Sequence, residues 1–187
     1  MIYTTYYNSP LGKIFLAADE DGLIGLWFEN QKYYADVLSG ESQEINITEV
    51  KSNSQKINVL KQTKEWLDIY FSGRKPCFTP KLHMIGSEFR KAVWNILLEI
   101  PYGQTMTYGE IAGKLAKQKC IRTMSAQAVG GAVGHNSISI IIPCHRVVGT
   151  NGSLTGYAGG INKKIGLLTL ENVDMSHFFI PKKGSAL

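Results

Sequence analysis

The most reactive side chains of this sequence stand together in the run Pro143-Cys144-His145-Arg146, directly after three isoleucines. Successive β-branched residues predict a short buried strand over 140–142, and Pro143, which has no backbone N–H, predicts its end. A cysteine attacks as its thiolate, and a neighbouring histidine or cation lowers the pKa of the thiol. An inert core cysteine is the alternative, but this polar context favours Cys144 as a nucleophile.

The first half of the chain predicts a small antiparallel sheet followed by a helix. Three β-prone runs, over 3–7, 13–18 and 23–28, are separated by turn sequences. Residues 29–53 are polar and predict a surface connection with a short helix at 33–38. The apolar spacing over 57–71 predicts an amphipathic helix.

The second half predicts helices. Ser87 begins one of them, and Thr107 with Glu110 has the spacing of a capping box, so a helix should run from Thr107 to about residue 117. A second helix opens at Met124 or Ser125. Two short helices joined by a turn match a helix-turn-helix, although a helical hairpin packed for stability has the same pattern. The last helix is expected over 162–171.

Composition and charge narrow the possible classes. The chain has 187 residues and three widely spaced cysteines. Its first residues lack the basic start and apolar core expected of a signal sequence, and no apolar run is long enough to span a bilayer. We therefore expect a cytoplasmic protein without disulfides. Residues 1–85 carry nine basic and ten acidic residues, whereas 86–187 carry eleven basic and five acidic ones. The basic half indicates a polyanion such as nucleic acid, or alternatively a solvated positive face.

The run Ile142-Pro143-Cys144-His145-Arg146-Val147, followed by the glycine-rich residues 152–160, closely resembles the 6-O-alkylguanine-DNA alkyltransferases, also called methylated-DNA–protein-cysteine methyltransferases. The resemblance is strongest over 89–171. It implies an α+β fold, with a small antiparallel-sheet, ribonuclease-H-like domain over 1–80. A mostly helical DNA-binding and alkyltransferase domain over 81–187 would follow, with a winged-helix-like helix-turn-helix.

The resemblance also implies an activity. The alkyl group of 6-O-methylguanine, and of 4-O-methylthymine, would pass irreversibly to Cys144, once per molecule. The implied partner is double-stranded DNA, bound by a monomer in the cytoplasm, at the nucleoid in a prokaryote. No cofactor is implied. Some relatives hold a structural zinc, but Cys77 and His83 are the only soft ligands in the first half, so we expect no metal.

Five catalytic residues follow from the resemblance. Cys144 is the nucleophile, and His145 accepts its proton through a water. Glu171 orients His145, Asn136 ties the active-site turn to the second helix, and Tyr108 helps to protonate the departing guanine. From the residue pattern alone, Glu171 would be a solvated helix end, Asn136 a helix cap and Tyr108 a half-buried aromatic.

A second group of residues is implied to contact the base or the DNA: Arg122, Gln127, Val147, Tyr157, Ala158 and Gly159. Many relatives have a serine in place of Ala158, but a contact through the backbone amide would survive that difference. Many also have an arginine in place of Gln127, where the side chain replaces the extruded base. Glutamine can fill that space but supplies no cation.

Two other functions remain compatible with the residues. A Cys-His-Glu set could support acyl transfer in a cysteine hydrolase. A helix-turn-helix protein could also recognise lesions and recruit partners without chemistry, although such a reader would not need Cys144.

Overall fold

The structure, a computed structural model, describes residues 1–38, 42–45 and 55–181. The chain forms two compact units. The first contains Met1–Ile85 and Ser137–Ser139, and the second contains Gly86–Asn136 and Ile140–Leu187. Within the described ranges, no helix has the length and apolar character needed to cross a membrane.

The first unit is a four-stranded sheet that packs against one helix. Its elements are β1 (Ile2–Ser9), β2 (Gly12–Ala18), β3 (Leu23–Phe28), β4 (Ser42–Glu44) and α1 (Gln55–Phe71). The strand order is β3-β2-β1-β4, and the three long strands pair antiparallel as predicted. β3 is buried along its whole length, with Ser137–Ser139 pairing beside Leu26.

Two features of this unit differ from the prediction. The helix expected at 33–38 is absent, because Tyr33 and Ala35 have positive φ angles of 60° and 56° and a right-handed helix needs negative ones. The strand β4 was not predicted, since its three side chains are polar and exposed. β4 pairs parallel to β1, so the sheet is mixed rather than purely antiparallel.

The second unit is mostly helical. Its elements are α2 (Glu88–Leu98), β5 (Met106–Thr107), α3 (Tyr108–Gln118), α4 (Ala126–Gly134), a 3-10 turn at Cys144–Arg146, β6 (Val147–Val148), α5 (Ile161–Leu170) and a second 3-10 turn at Met175–His177. β5 and β6 pair in parallel. With the sheet of the first unit, these elements confirm the α+β fold.

The helix pair α3–α4 begins with the caps that the sequence predicted. The Thr107 hydroxyl accepts from the Glu110 N–H at 3.1 Å, and the Glu110 carboxylate accepts from the Thr107 N–H at 2.7 Å. Ser125 caps α4. The inner faces of both helices are buried, and the Trp94 indole of α2 donates to the Ala132 carbonyl of α4 at 2.8 Å. α2 therefore supports α4 from the core side.

Candidate active site

Cys144 lies in a buried turn rather than at the end of a strand. Residues 140–142, predicted as a strand, form a turn in which Ile140 has a φ of 69°. The Cys144 N–H donates to the Ile142 carbonyl at 2.8 Å, and Cys144 then opens the 3-10 turn. The prediction was wrong because a run of isoleucines reports burial, which a packed turn satisfies as well as a strand.

The Cys144 thiol is held by Asn136. The Asn136 side-chain amide donates to Cys144 Sγ at 3.1 Å and to the Ile142 carbonyl at 2.8 Å. Asn136 itself directly follows His135, the C-cap of α4. One buried amide therefore joins the end of α4 to the turn that carries the thiol.

The thiol is protonated at rest, because burial raises the pKa of Cys144. Only 3% of the residue is exposed. The hydrogen bond from Asn136 and the positive charge of Lys164 both lower this pKa, but they do not outweigh desolvation. Both groups favour a negative sulfur, so they would stabilise the thiolate once a base removes the proton.

The candidate base, His145, pairs with Glu171. His145 Nε2 lies 2.7 Å from Glu171 Oε1, and both side chains are fully buried. Burial lowers the pKa of His145 despite the opposing effect of Glu171, so the imidazole is neutral at neutral pH. A neutral imidazole beside a carboxylate can accept a proton and form a stabilised imidazolium.

Glu171 is the C-cap of α5 and accepts from three residues. Besides His145, Arg146 donates through Nε at 2.8 Å and Nη2 at 3.0 Å, and the Gly103 N–H donates at 3.1 Å. Burial raises the pKa of Glu171, but the hydrogen bonds from His145 and Arg146 and the positive charge of Arg146 hold it far below its usual range. Arg146, together with His145, therefore keeps the carboxylate ionised inside the protein. A solvated carboxylate at a helix end would not need such partners.

Tyr108 contacts the glycine-rich loop, residues 149–160. Its hydroxyl donates to the Thr155 carbonyl at 3.2 Å. Burial, aided by the negative charge that the Cys144 sulfur carries once it ionises, raises the pKa of Tyr108 to about 12, so the phenol retains its proton. Gly156 has a φ of 65°, and a Cβ there would lie 3.0 Å from the Tyr108 hydroxyl. Glycine at this position thus lets the loop pass close to Tyr108.

The other predicted base-contacting residues lie on the same loop or beside Cys144. The ring of Tyr157 is buried and meets the His145 ring edge-on, with centroids 6.4 Å apart. Ala158 and Gly159 follow it and are half-buried and buried. Val147 opens β6. The structure therefore brings these four residues into the unit that holds the thiol.

The two predicted DNA contacts lie elsewhere on the second unit. Gln127 is exposed in the first turn of α4, and Arg122 is exposed in the connection that precedes it. Among the described residues, neither shares a hydrogen bond with the cluster around Cys144. The structure thus separates the buried chemical residues from an exposed α4 surface.

Lys164 is a functional candidate that the sequence analysis missed. It is fully buried in α5, and its ammonium donates to the Val147 and Thr155 carbonyls. Burial lowers the pKa of Lys164 to about 8, and the negative charge of an ionised Cys144 opposes this shift. Its position in the sequence could have identified it. Lys164 falls on the same helical face as Ile161 and Leu168, and burying a lysine on an apolar face without partners is costly.

Comparison with known proteins agrees with this geometry. Residues 2–84 match the ribonuclease-like domain of 6-O-methylguanine DNA methyltransferase, and residues 88–173 match its DNA binding domain. A methylated-DNA–protein-cysteine methyltransferase of Methanosarcina acetivorans is 41% identical over 170 residues, covering 91% of this chain and 98% of that protein. The chain belongs to the 6-O-methylguanine-DNA methyltransferase family.

Further members of this methyltransferase family support the same assignment. The Haemophilus influenzae methylated-DNA–protein-cysteine methyltransferase is 37% identical over 173 residues, covering 92% of this chain and 87% of that one. The crystal structure of Mycobacterium tuberculosis OGT in complex with DNA superposes with a TM-score of 0.74 at 36% identity, covering 90% of this chain and 92% of that chain. The resemblance seen in the sequence is confirmed.

Proposed function

We propose that this protein repairs DNA by transferring the alkyl group of 6-O-methylguanine, and of 4-O-methylthymine, to Cys144 in a single turnover. The observation that carries the proposal is the hydrogen-bonded site itself. Asn136 donates to the Cys144 sulfur at 3.1 Å, and His145, the next residue in the chain, pairs through Nε2 with Glu171 Oε1 at 2.7 Å. Family membership identifies the reaction that such a site performs.

The chemistry begins with proton transfer. The Cys144 proton passes to His145 through a water, and Glu171 stabilises the resulting imidazolium. The thiolate then attacks the alkyl carbon, the carbon–oxygen bond breaks, and guanine leaves with the electron pair. Tyr108 supplies a proton to the leaving base, and the proton held by the His145 imidazolium returns to the Tyr108 phenolate, so the net reaction moves one proton from sulfur to guanine. A thioether has no facile hydrolytic exit, hence one turnover per molecule.

The base pocket is proposed to lie beside β6 and the glycine-rich loop. Tyr157, the Ala158 amide and Gly159 would line it, and the Cys144 and Val147 carbonyls would accept from the guanine amino group. The Val147 carbonyl already accepts from Lys164, and a carbonyl oxygen has a second lone pair to offer. Lys164 therefore positions an acceptor while its charge favours the thiolate.

DNA is proposed to meet the exposed face of α4. Ala126, Ala128 and Gly131 are exposed there, and such small residues allow the helix to approach the minor groove closely. Gln127 would fill the gap left by the flipped nucleotide, whose extrusion costs roughly a few kcal/mol, and Arg122 would contact phosphate. Gln127→Ala should therefore slow repair of duplex DNA more than repair of a single-stranded oligonucleotide. Equal slowing of both would reject this role.

The proposal includes the division into an N-terminal domain over 1–80 and a DNA-binding and alkyltransferase domain over 81–187. This division is supported by the fact that every proposed site residue lies after residue 100. The protein would act on double-stranded DNA as a monomer, in the cytoplasm or nucleoid. No cofactor enters the mechanism, since the transferred group goes directly to sulfur. Gel filtration with and without DNA tests the monomer.

Intact-mass spectrometry tests the function. After mixing with duplex DNA containing 6-O-methylguanine, we expect one added methyl group, mapped to Cys144, and no further turnover. Cys144→Ser should abolish transfer, whereas Cys77→Ser and Cys120→Ser, at two exposed cysteines, should not. Methylation at either exposed cysteine, repeated hydrolysis of an ester or peptide, or lesion binding without transfer would each overturn the proposal.

A further inference from the structure

The chain after α5 turns back and runs along the glycine-rich loop. Asn172 has a φ of 59°, and the Val173 N–H donates to the Leu168 carbonyl at 3.0 Å, which reverses the chain at the helix end. Asp174 then accepts from the Ser176 N–H and caps the second 3-10 turn. Residues 173–180, here called the C-terminal strap, therefore have a defined path that the sequence analysis did not foresee.

Two backbone hydrogen bonds fasten the C-terminal strap to the loop. The Phe179 N–H donates to the Gly152 carbonyl at 3.2 Å, and the Leu154 N–H donates to the Phe179 carbonyl at 2.9 Å. Ser153 and Phe179 thus form an isolated parallel bridge. Gly152, with a φ of 84°, makes this approach possible, because a Cβ there would lie 2.3 Å from the His177 carbonyl oxygen.

Apolar packing adds a second attachment. Val148, Leu154 and Leu168 form a buried cluster, against which Val173, Met175 and Phe178 of the C-terminal strap pack. The cluster joins β6, the glycine-rich loop and α5. The C-terminal strap therefore covers apolar side chains from α5 and from the two segments, β6 and the glycine-rich loop, that border the proposed base pocket.

The loop is held on its other side by the active site. Thr155, directly after Leu154, accepts from the Tyr108 hydroxyl at 3.2 Å and from the Lys164 ammonium at 2.8 Å. Tyr157, two residues further, packs against His145. The loop is thus fixed between the C-terminal strap at 152–154 and the catalytic side chains at 155–157.

We propose that the C-terminal strap is a positioning element for the alkylated base: by holding residues 152–154, it fixes the wall of the pocket before the base arrives. This inference rests on the proposed function. A loop that is already ordered loses little conformational freedom when a ligand binds, so releasing it weakens productive binding without altering the thiol. The residues responsible are Phe179, through its backbone, and Phe178, through its side chain.

Phe179→Pro tests the backbone attachment because it removes the N–H that donates to Gly152. Phe178 has φ −103° and ψ 147°, a conformation that a following proline accepts. Phe179→Ala is the matched variant that keeps the N–H, and its side chain is 45% exposed in the wild type. Ile180→Pro is the second control, since it places the same change one residue later.

The rate constants for methyl transfer from single-stranded and duplex 6-O-methylguanine DNA should both fall by the same factor in Phe179→Pro. The loss of one hydrogen bond predicts roughly a two- to tenfold decrease. Alkylation of Cys144 by iodoacetamide, a small reagent that makes none of the contacts proposed for the guanine base, should keep its rate and pH profile, as should binding to undamaged DNA. Phe179→Ala and Ile180→Pro should remain within about twofold of wild type.

The outcomes separate this inference from the proposed function. If the wild-type protein transfers no methyl group, the proposed function itself is wrong. Wild-type transfer with unchanged rates in Phe179→Pro overturns the positioning role alone. An equal fall in methyl transfer and iodoacetamide alkylation overturns it too, because the C-terminal strap would then only support the thiol site. If Phe179→Pro does not fold, Phe178→Ala gives the same comparison through the apolar attachment.

Discussion

Two histidine–carboxylate pairs of equal length occur in the two units. In the first unit, His83 Nδ1 lies 2.7 Å from Asp19 Oδ2, with 36% and 23% of the side chains exposed. In the second unit, His145 Nε2 lies 2.7 Å from Glu171 Oε1, and neither side chain is exposed. The same two chemical groups at the same distance therefore occupy different environments, one partly exposed and one fully buried.

The difference lies in the surrounding charges and donors. Glu171 also accepts from Arg146 and from the Gly103 backbone, whereas Asp19 accepts from the N–H groups of its own turn, at Asp21 and Gly22. A partly exposed pair is screened by water and contributes little to stability. Burial makes the Glu171 pair costly to break and able to control a proton. The comparison shows that pair geometry alone does not identify a catalytic site.

The largest expected effect is that of Glu171→Gln. Loss of the carboxylate removes the group that stabilises the His145 imidazolium, so methyl transfer should slow by about a hundredfold or more. Asp19→Asn is the matched change at the exposed pair and should leave the rate within about twofold. The measurement is the single-turnover rate of methyl transfer from pH 5 to 9. It is made at a temperature where thermal melts show that each variant is folded. Equal rates in both variants would mean that burial confers no catalytic role.

The pH dependence of stability should separate the two histidines. Since the pKa of folded His145 is depressed, the unfolded chain binds a proton below about pH 6.5 that the folded chain excludes. Stability is therefore lost as pH falls below that value, by up to about 1.4 kcal/mol per pH unit. Urea unfolding of His145→Gln should show less of this loss, whereas His83→Gln should retain it. If His145→Gln loses stability with falling pH as steeply as the wild type does, His145 is not the group responsible for the pH dependence.

The smallest expected effect concerns the exposed basic residues of the second unit. Their contribution to DNA affinity should fall with added salt, whereas the buried ion pairs should be little affected by it. If Lys119 and Arg122 contact phosphates, the double variant Lys119→Gln/Arg122→Gln should lower the slope of log affinity against log salt by about two for undamaged duplex DNA. Lys32→Gln/Lys81→Gln changes two exposed lysines of the first unit and is the control. Binding titrations at several salt concentrations measure both. Equal slopes in the two double variants would exclude a phosphate contact from these residues.

The basic charge of the second half is itself divided by the structure. Arg146 and Lys164 are buried, and Lys114 pairs with Glu99 at 3.1 Å on the surface. Lys117, Lys119 and Arg122 are exposed. Lys182 and Lys183 lie outside the described residues. The excess positive charge counted in the sequence is therefore only partly available to a polyanion.

Local features could be predicted from the sequence because their interactions span only a few residues. Helical hydrogen bonds join neighbouring turns, and the Thr107–Glu110 capping box closes within three positions. The three long strands have apolar runs separated by turn residues, and β3 was predicted with its observed bounds. Cys144 and His145 are adjacent in the chain, so their chemistry was visible before any fold was known.

Tertiary structure decided what depends on distant partners. β4 is polar, and only its pairing with β1 some forty positions away makes it a strand. The run 140–142 became a turn because burial, which its isoleucines require, does not specify hydrogen-bond partners. Lys164 and the C-terminal strap acquire their roles from carbonyls on another segment of the chain. Sequence patterns report local propensity and burial, whereas these contacts follow from which segments the completed fold brings together.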